Sequence, residues 1–240
     1  MKILRVITSM NPTQGGPAQG IRNSIPEMSN QGIQNEVVCF DLGNEAYCGT
    51  DKFKIFYLGP SKGPYSYSIK LSLWLKSNLS NYDVVIIHGL WLYNSYGTYR
   101  VWQTMKRHGH KVPRLYIMPH GMLDPYFQRA PDRKIKAIRN SIFWHLFEKR
   151  VINGVDGVLF TCQRELELAK DTFKGYLPKK EINVTYGIQP PPVFDSEMHE
   201  AFLKKSGLKN GEPYILFLSR IHTKKGVDLL LNAYLKIKAE

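Results

Sequence analysis

Val84-Val-Ile-Ile-His88-Gly-Leu-Trp91 is the stretch on which the fold turns. Four consecutive apolar residues, with no alternation of polar and apolar, describe a strand covered on both faces, as in a parallel sheet. The His-Gly pair that closes the run marks a strand end. Working outward, similar short runs recur at Ile3 to Thr8, Glu36 to Phe40, Ile55 to Leu58, Leu115 to Met118, Gly157 to Phe160, Ile182 to Thr185 and Tyr214 to Leu218. Between them lie stretches of helical periodicity, at about 17–31, 67–80, 95–108, 131–153, 162–173, 197–206 and from 226 onward. Strand and helix in alternation predict an α/β fold with a parallel sheet flanked by helices.

The long segment 131–153 carries Ile135, Ile138, Ile142, Leu146 and Phe147 at three- and four-residue spacing, so these are expected to form its buried stripe. Pro131 suits its first turn and Gly154 its end. Gln189-Pro-Pro-Pro-Val-Phe-Asp195 can continue neither a helix nor a strand and reads as a linker or crossover between domains. That gives a first domain over residues 1–190 and an incomplete second one over 191–240. The chain stops inside the apolar pattern Leu229-Leu-Leu-Asn-Ala-Tyr-Leu-Lys-Ile237, which reads as a domain cut in progress.

With 240 residues, 43% of them hydrophobic and 22% charged, the composition is that of a globular protein and excludes disorder. The net charge of +13 favours an anionic partner: nucleic acid, a phosphorylated metabolite or an anionic membrane. Residues 101–150 alone contribute +8 of it. Their basic residues Arg133, Lys134, Lys136 and Arg139 neighbour an apolar stripe with Phe143, Trp144 and Phe147. Two readings stand: a core helix with a solvated basic face, or a contact with an anionic membrane surface through these residues. No pattern of a nucleic-acid-binding module appears. Three cysteines, Cys39, Cys48 and Cys162, have no metal-ligand spacing and suggest a reduced, cytosolic compartment. The first ten residues read as a strand, not a signal peptide, and no run approaches a membrane span.

Ligands of open parallel sheets bind beyond the carboxyl ends of the strands. After the first strand, Gly15-Gly16 lets backbone approach a ligand, and the helix behind them offers N–H groups to phosphate. The loop matches neither G-x-G-x-x-G nor the Walker P-loop. His88 with Trp91, and His120 with Asp124, follow two further strands and would open onto one cleft, with His120 the better catalytic candidate. After the last strand, Arg220 offers a fork of donors to phosphate oxygens, Lys225 adds a point charge and Gly226 leaves the helix start unobstructed.

Taken together, the Gly-Gly loop, His88-Gly-Leu-Trp91, Pro119-His-Gly-Met-Leu123, Thr161-Cys-Gln-Arg-Glu-Leu-Glu-Leu-Ala169, Tyr186-Gly-Ile188 and Ser219-Arg-Ile-His-Thr-Lys-Lys-Gly-Val-Asp228 resemble the retaining glycosyltransferases of family 4. The resemblance implies a GT-B fold of two Rossmann-like domains, the first on the acceptor side and the second binding the donor. It implies hexosyl transfer with retention from a nucleoside-diphosphate sugar, UDP- or GDP-linked, to a polysaccharide or lipid-linked acceptor. Arg220 and Lys225 are then expected to neutralise the donor diphosphate, with Gly15 and Gly16 beside it. His120 is expected to contact the transferring sugar, and His88, Trp91 and Asp124 are acceptor-side candidates. No cofactor and no metal are implied, and no D-x-D motif occurs. The expected place is cytoplasmic, on the inner face of the cytoplasmic membrane. The family's Glu-x7-Glu motif has no counterpart in these residues. A non-catalytic fragment that binds a glycolipid or a partner is the alternative.

Overall fold

Seven strands, all parallel, form one sheet in the computed structural model: β1 (Lys2–Val6), β2 (Gln34–Cys39), β3 (Lys54–Tyr57), β4 (Val84–His88), β5 (Arg114–Met118), β6 (Gly157–Phe160) and β7 (Glu181–Asn183). The structure describes residues 1–185, 187, 188 and 190–239; Tyr186, Gln189 and Glu240, and so the start of Tyr186-Gly-Ile188, lie outside the described residues. The strand order is β3-β2-β1-β4-β5-β6-β7. Order reverses between β1 and β4, which makes the switch point where such sheets form a crevice.

The central strands are buried on both faces, as Val84-Val-Ile-Ile requires. On one face Leu4, Val6, Val85, Ile87, Leu115, Ile117, Val158 and Phe160 join the main core. That core is closed by residues of α2 (Ile69–Asn78), α3 (Tyr93–Arg107) and the helical segment ending in α6 (Lys149–Gly154). On the other face α1 (Gly16–Asn30) packs Ala18, Ile21 and Ile25 against Ile7, Val37 and Cys39. Short α4 (Tyr126–Arg129) precedes the long segment, and α7 (Gln163–Ala169) follows β6.

The segment expected as one helix over 131–153 is composite. A 3-10 turn at Pro131–Arg133 leads into α5 (Lys134–Phe143), then a π-helical turn at Trp144–Glu148, then α6. The expected buried stripe is turned outward: Ile135, Ile138, Ile142 and Leu146 are 85%, 63%, 52% and 52% exposed. Asn140, Trp144, Glu148, Val151 and Ile152 face the core instead. Trp144 is fully buried, stacked on Phe173 at 4.7 Å, with its indole N–H donated to the Lys174 carbonyl. That corrects its assignment to a membrane-facing surface. Lys134, Lys136 and Arg139 are exposed, whereas Arg133 is half-buried with its guanidinium over the Phe127 ring.

The chain divides into two compact units, Met1–Gln189 and Pro190–Glu240. In the second, α8 (Ser196–Ser206) is capped by Asp195, whose carboxylate accepts the Met198 N–H, and ends on left-handed Gly207. A 3-10 turn at Thr223–Lys225 precedes α9 (Val227–Ala239). The expected strand Tyr214–Leu218 does not form. A strand exists through its ladder, and among the described residues none pairs with this segment, so its side chains stay largely exposed.

Candidate functional site

Cavity walls converge where the sheet order reverses. A cavity of about 210 Å³ is lined by Thr8 and Ser9 after β1, Gln14 in the turn that follows, Pro17 and Ala18 at the start of α1, and His88 to Leu90 at the end of β4 and just past it. The loop after β1 is braced from below. Asp41 accepts the Met10 N–H at 2.7 Å, and Arg22, paired with Asp51 at 2.8 Å, donates to the Met10 carbonyl. Gly15 has φ +94°, a conformation that only glycine enters without strain, and nothing crowds the Cβ positions of Gly15 or Gly16. No side chain caps α1 at this end, Pro17 occupies its first turn, and that turn holds no acidic residue. The terminus therefore presents a positive dipole end with no carboxylate in its own first turn.

His88 ends β4 as a nearly inaccessible side chain, and its Nδ1 lies 2.9 Å from Nε2 of His120, the rings stacked 5.2 Å apart. One ring donates and the other accepts. Burial, then His120, then Arg5 push the His88 imidazole well below the usual histidine range. Burial and then Arg5 bring His120 down to about 4. Both rings are therefore neutral at pH 7, fit to exchange hydrogen bonds with hydroxyls rather than to hold a fixed charge. His88 Nε2 is buried without a hydrogen-bond partner.

The predicted site residues fall into three groups. His88 belongs to the cavity wall, His120 stands directly against His88, and Gly15 and Gly16 lie in the chain between the wall residues Gln14 and Pro17 without lining the cavity themselves. Trp91 and Asp124 serve the loops themselves: Trp91 packs on Phe173 in the core, and Asp124 accepts the Tyr126 N–H at the head of α4. Arg220 and Lys225 belong to the second unit and are exposed there, Arg220 ahead of the turn that His222 caps and left-handed Gly226 closes, Lys225 as its last residue.

Two residues that are not among the sequence's site candidates stand behind these loops. Glu148, fully buried, accepts the Trp91 N–H at 2.9 Å and the Ser95 hydroxyl at 2.6 Å. Burial outweighs those two bonds and pushes its carboxyl up to about 7. Glu165 accepts the Gly121 N–H at 2.6 Å and both the N–H and hydroxyl of Thr161. Among the described residues no three His, Cys, Asp or Glu side chains gather as metal ligands. No described helix is long and apolar enough to cross a membrane.

No family model and no curated protein matches the sequence. Solved structures match it by shape. Sucrose-phosphate synthase from Thermosynechococcus elongatus superposes with TM-score 0.62 at 16% identity, over 98% of this chain and 60% of that one. A glycosyltransferase from Rickettsia africae gives 0.59 at 16%, over 100% and 58%. Anabaena HepE, solved with UDP and glucose, gives 0.56 at 15%, over 98% and 58%. The fold is of the GT-B type. This chain spans about three fifths of the length of those GT-B structures. At such identities the likeness carries the architecture, and the chemistry has to be argued from the residues.

Proposed function

We propose that this chain belongs to a retaining glycosyltransferase that moves a hexosyl group from a nucleoside-diphosphate sugar to a polysaccharide or lipid-linked acceptor. Residues 1–190 act as its acceptor-side domain, and 191–240 begin the donor-binding domain. The observation that carries this reading is the cleft at the β1/β4 switch point. Its wall holds the first residues of α1, Pro17 and Ala18, just past Gly15 and Gly16, together with His88, which is hydrogen-bonded to His120 behind it. The structural neighbours include a glycosyltransferase and an enzyme solved with UDP and glucose, which supports a nucleotide sugar as the donor.

In the transfer, the bond from the anomeric carbon to the diphosphate oxygen breaks and a bond to an acceptor oxygen forms on the same face. Negative charge grows on the leaving diphosphate. Arg220 and Lys225 neutralise it, and the helix start at Gly15 and Gly16 lies beside the donor phosphates and sugar. His120 accepts or donates a hydrogen bond at the sugar, and His88 meets the acceptor side. The reaction needs no cofactor and no metal in this scheme, since charge neutralisation falls to cationic side chains. The donor is UDP- or GDP-linked.

The enzyme works in the cytoplasm at the inner face of the cytoplasmic membrane. Ile135, Ile138, Ile142 and Leu146 form an exposed apolar line, bordered by Lys134, Lys136 and Arg139. That is the composition of an interfacial helix on anionic lipid.

Transfer from UDP- and GDP-sugars by the intact protein tests the activity. Arg220→Ala and Lys225→Ala should each lower kcat/KM by about 2 to 4 kcal/mol of transition-state stabilisation. Values within about twofold of wild type would sink the clamp assignment. Calorimetry of the 240-residue chain with nucleoside diphosphates separates the enzyme from a non-catalytic glycolipid- or partner-binding module: low-micromolar binding supports the enzyme, silence the module.

A further inference from the structure

The loops that follow β4 and β5 share a construction. Each has a histidine of the pair at or next to its start, and each passes through left-handed backbone at or just after that histidine. Gly89 and Trp91 have φ +85° and +70°, and His120 and Gly121 have +54° and +78°. Trp91 and His120 hold a conformation that side-chain-bearing residues seldom adopt, and such strain gathers at functional sites. It persists only where the surroundings enforce it.

A buried glutamate enforces it in both loops. Glu148, on the π-helical turn, grips the Trp91 N–H with one oxygen and, with the other, the Ser95 hydroxyl in the first turn of α3. Glu165, in the first turn of α7, grips the Gly121 N–H with one oxygen and Thr161, next to the end of β6, with the other. Hydrogen bonds from backbone N–H to a carboxylate are strong and directional. The helical turns that supply them are different, and the acceptors reach N–H groups close behind each histidine, three residues past His88 and one past His120. π-Helical turns recur at functional sites because they redirect one side chain. Here the side chain redirected is Glu148.

We infer that Glu148 and Glu165 are positioning residues that clamp the His88 and His120 loops from either flank and thereby set the contact between the two rings. This rests on the transferase reading only for its kinetic consequence; the effect on the rings does not depend on it. In Glu165→Gln the carboxamide keeps one acceptor and turns an N–H toward the Thr161 N–H, so one grip is lost while volume is kept; in Glu148→Gln the Ser95 hydroxyl must reverse from donor to acceptor and the grip weakens to one between neutral groups.

The experiment uses histidine-labelled intact protein and long-range ¹H–¹⁵N spectra of the ring nitrogens. His108 and His145, exposed and bonded to the carbonyls of Thr104 and Ser141, serve as internal references. Glu165→Gln should move the His120 and His88 signals, and Glu148→Gln those of His88, with both references unmoved. Where a glutamine variant fails to fold, Thr161→Val and Ser95→Ala each remove one bond to the same carboxylates and should move the same signals by less. In transfer assays the glutamine variants should lose at least tenfold in kcat with KM within about threefold. Ring signals superimposable on wild type, with only a lower Tm, would overturn the inference and leave both glutamates as loop ballast. If wild type transfers no sugar while the ring signals still move, the transferase reading fails and the clamp stands.

Discussion

Glu148 and the histidine pair titrate in opposite senses, so the pH dependence of stability is a measurement of single residues. The Glu148 carboxyl, raised to about 7 by burial, keeps a proton that the unfolded chain releases near 4.5. Its contribution is complete below 4.5 and is lost as pH rises through about 7. His120, lowered to about 4, and His88, lowered well below the usual histidine range, refuse protons that the unfolded chain takes up near 6.5. Their contribution is complete above 6.5 and is lost as pH falls toward 4. Glu148→Gln removes the first limb and leaves the second. Its stability relative to wild type should therefore grow between pH 4.5 and 7, by as much as about 3 kcal/mol at roughly 1.4 kcal/mol per pH unit. Urea denaturation at several pH values reads the difference, and a gap that stays constant would contradict it. His88 and His120 are legible in the sequence because each closes an apolar strand run ahead of glycine. Glu148 in Phe147-Glu-Lys-Arg150 and Glu165 in Arg164-Glu-Leu-Glu167 look like solvated helix residues. Nothing local distinguishes a glutamate that reaches a backbone N–H tens of residues away.

At the scale of elements, the segment from Lys134 to Gly154 separates what local pattern determines from what packing determines. Its helicity follows from spacing and from Pro131 ahead of it, but the face it buries does not. Four aliphatic residues at helical spacing are the natural candidates for the core. The segment instead buries Trp144, whose ring and indole N–H are both used, together with Asn140 and Glu148. Polar residues on the buried side and aliphatic residues on the open side defeat any reading of periodicity. Trp144→Ala should cost about 3 to 5 kcal/mol, the range for deleting a buried large aromatic, read as a fall in denaturant midpoint at constant m. The outer face makes a separate prediction. Ile138→Asp with Ile142→Asp should leave stability nearly unchanged, since both side chains are already more than half exposed, but should abolish flotation with vesicles rich in anionic lipid. Wild type is expected to float with anionic vesicles and not with neutral ones. Equal flotation with both kinds, or none with anionic lipid, would remove the membrane contact.

Across the whole molecule, the sheet and the second unit differ in how their chain is held. Seven of the eight expected strands form, because a doubly covered strand carries its own signature in an unbroken apolar run. Their order in the sheet is set by crossovers spanning dozens of residues, which no local window contains. The eighth, Tyr214 to Leu218, has the same signature and stays unpaired: Leu218 is 88% exposed, and no ladder bond reaches the segment among the described residues. Apolar composition proposes a strand, but a neighbour makes it one. Amide exchange therefore has a defined expectation. The amides of β1 and β4, each bonded between neighbours at the centre of the sheet, should exchange only through global opening, on the timescale of hours or longer at neutral pH. Those of 214–218 should exchange through local opening that costs almost nothing, within seconds to minutes. In α8 and α9, amides bonded within each helix should fall between these limits, since none of the α8 side chains is buried and the α9 leucines at 229, 231 and 235 are exposed. Adding a nucleoside diphosphate should slow exchange around Gly15 and Gly16 and around Thr223 to Gly226 if both places meet the donor. Protection at the first alone would assign the phosphate contact to the helix start and deny it to Arg220 and Lys225.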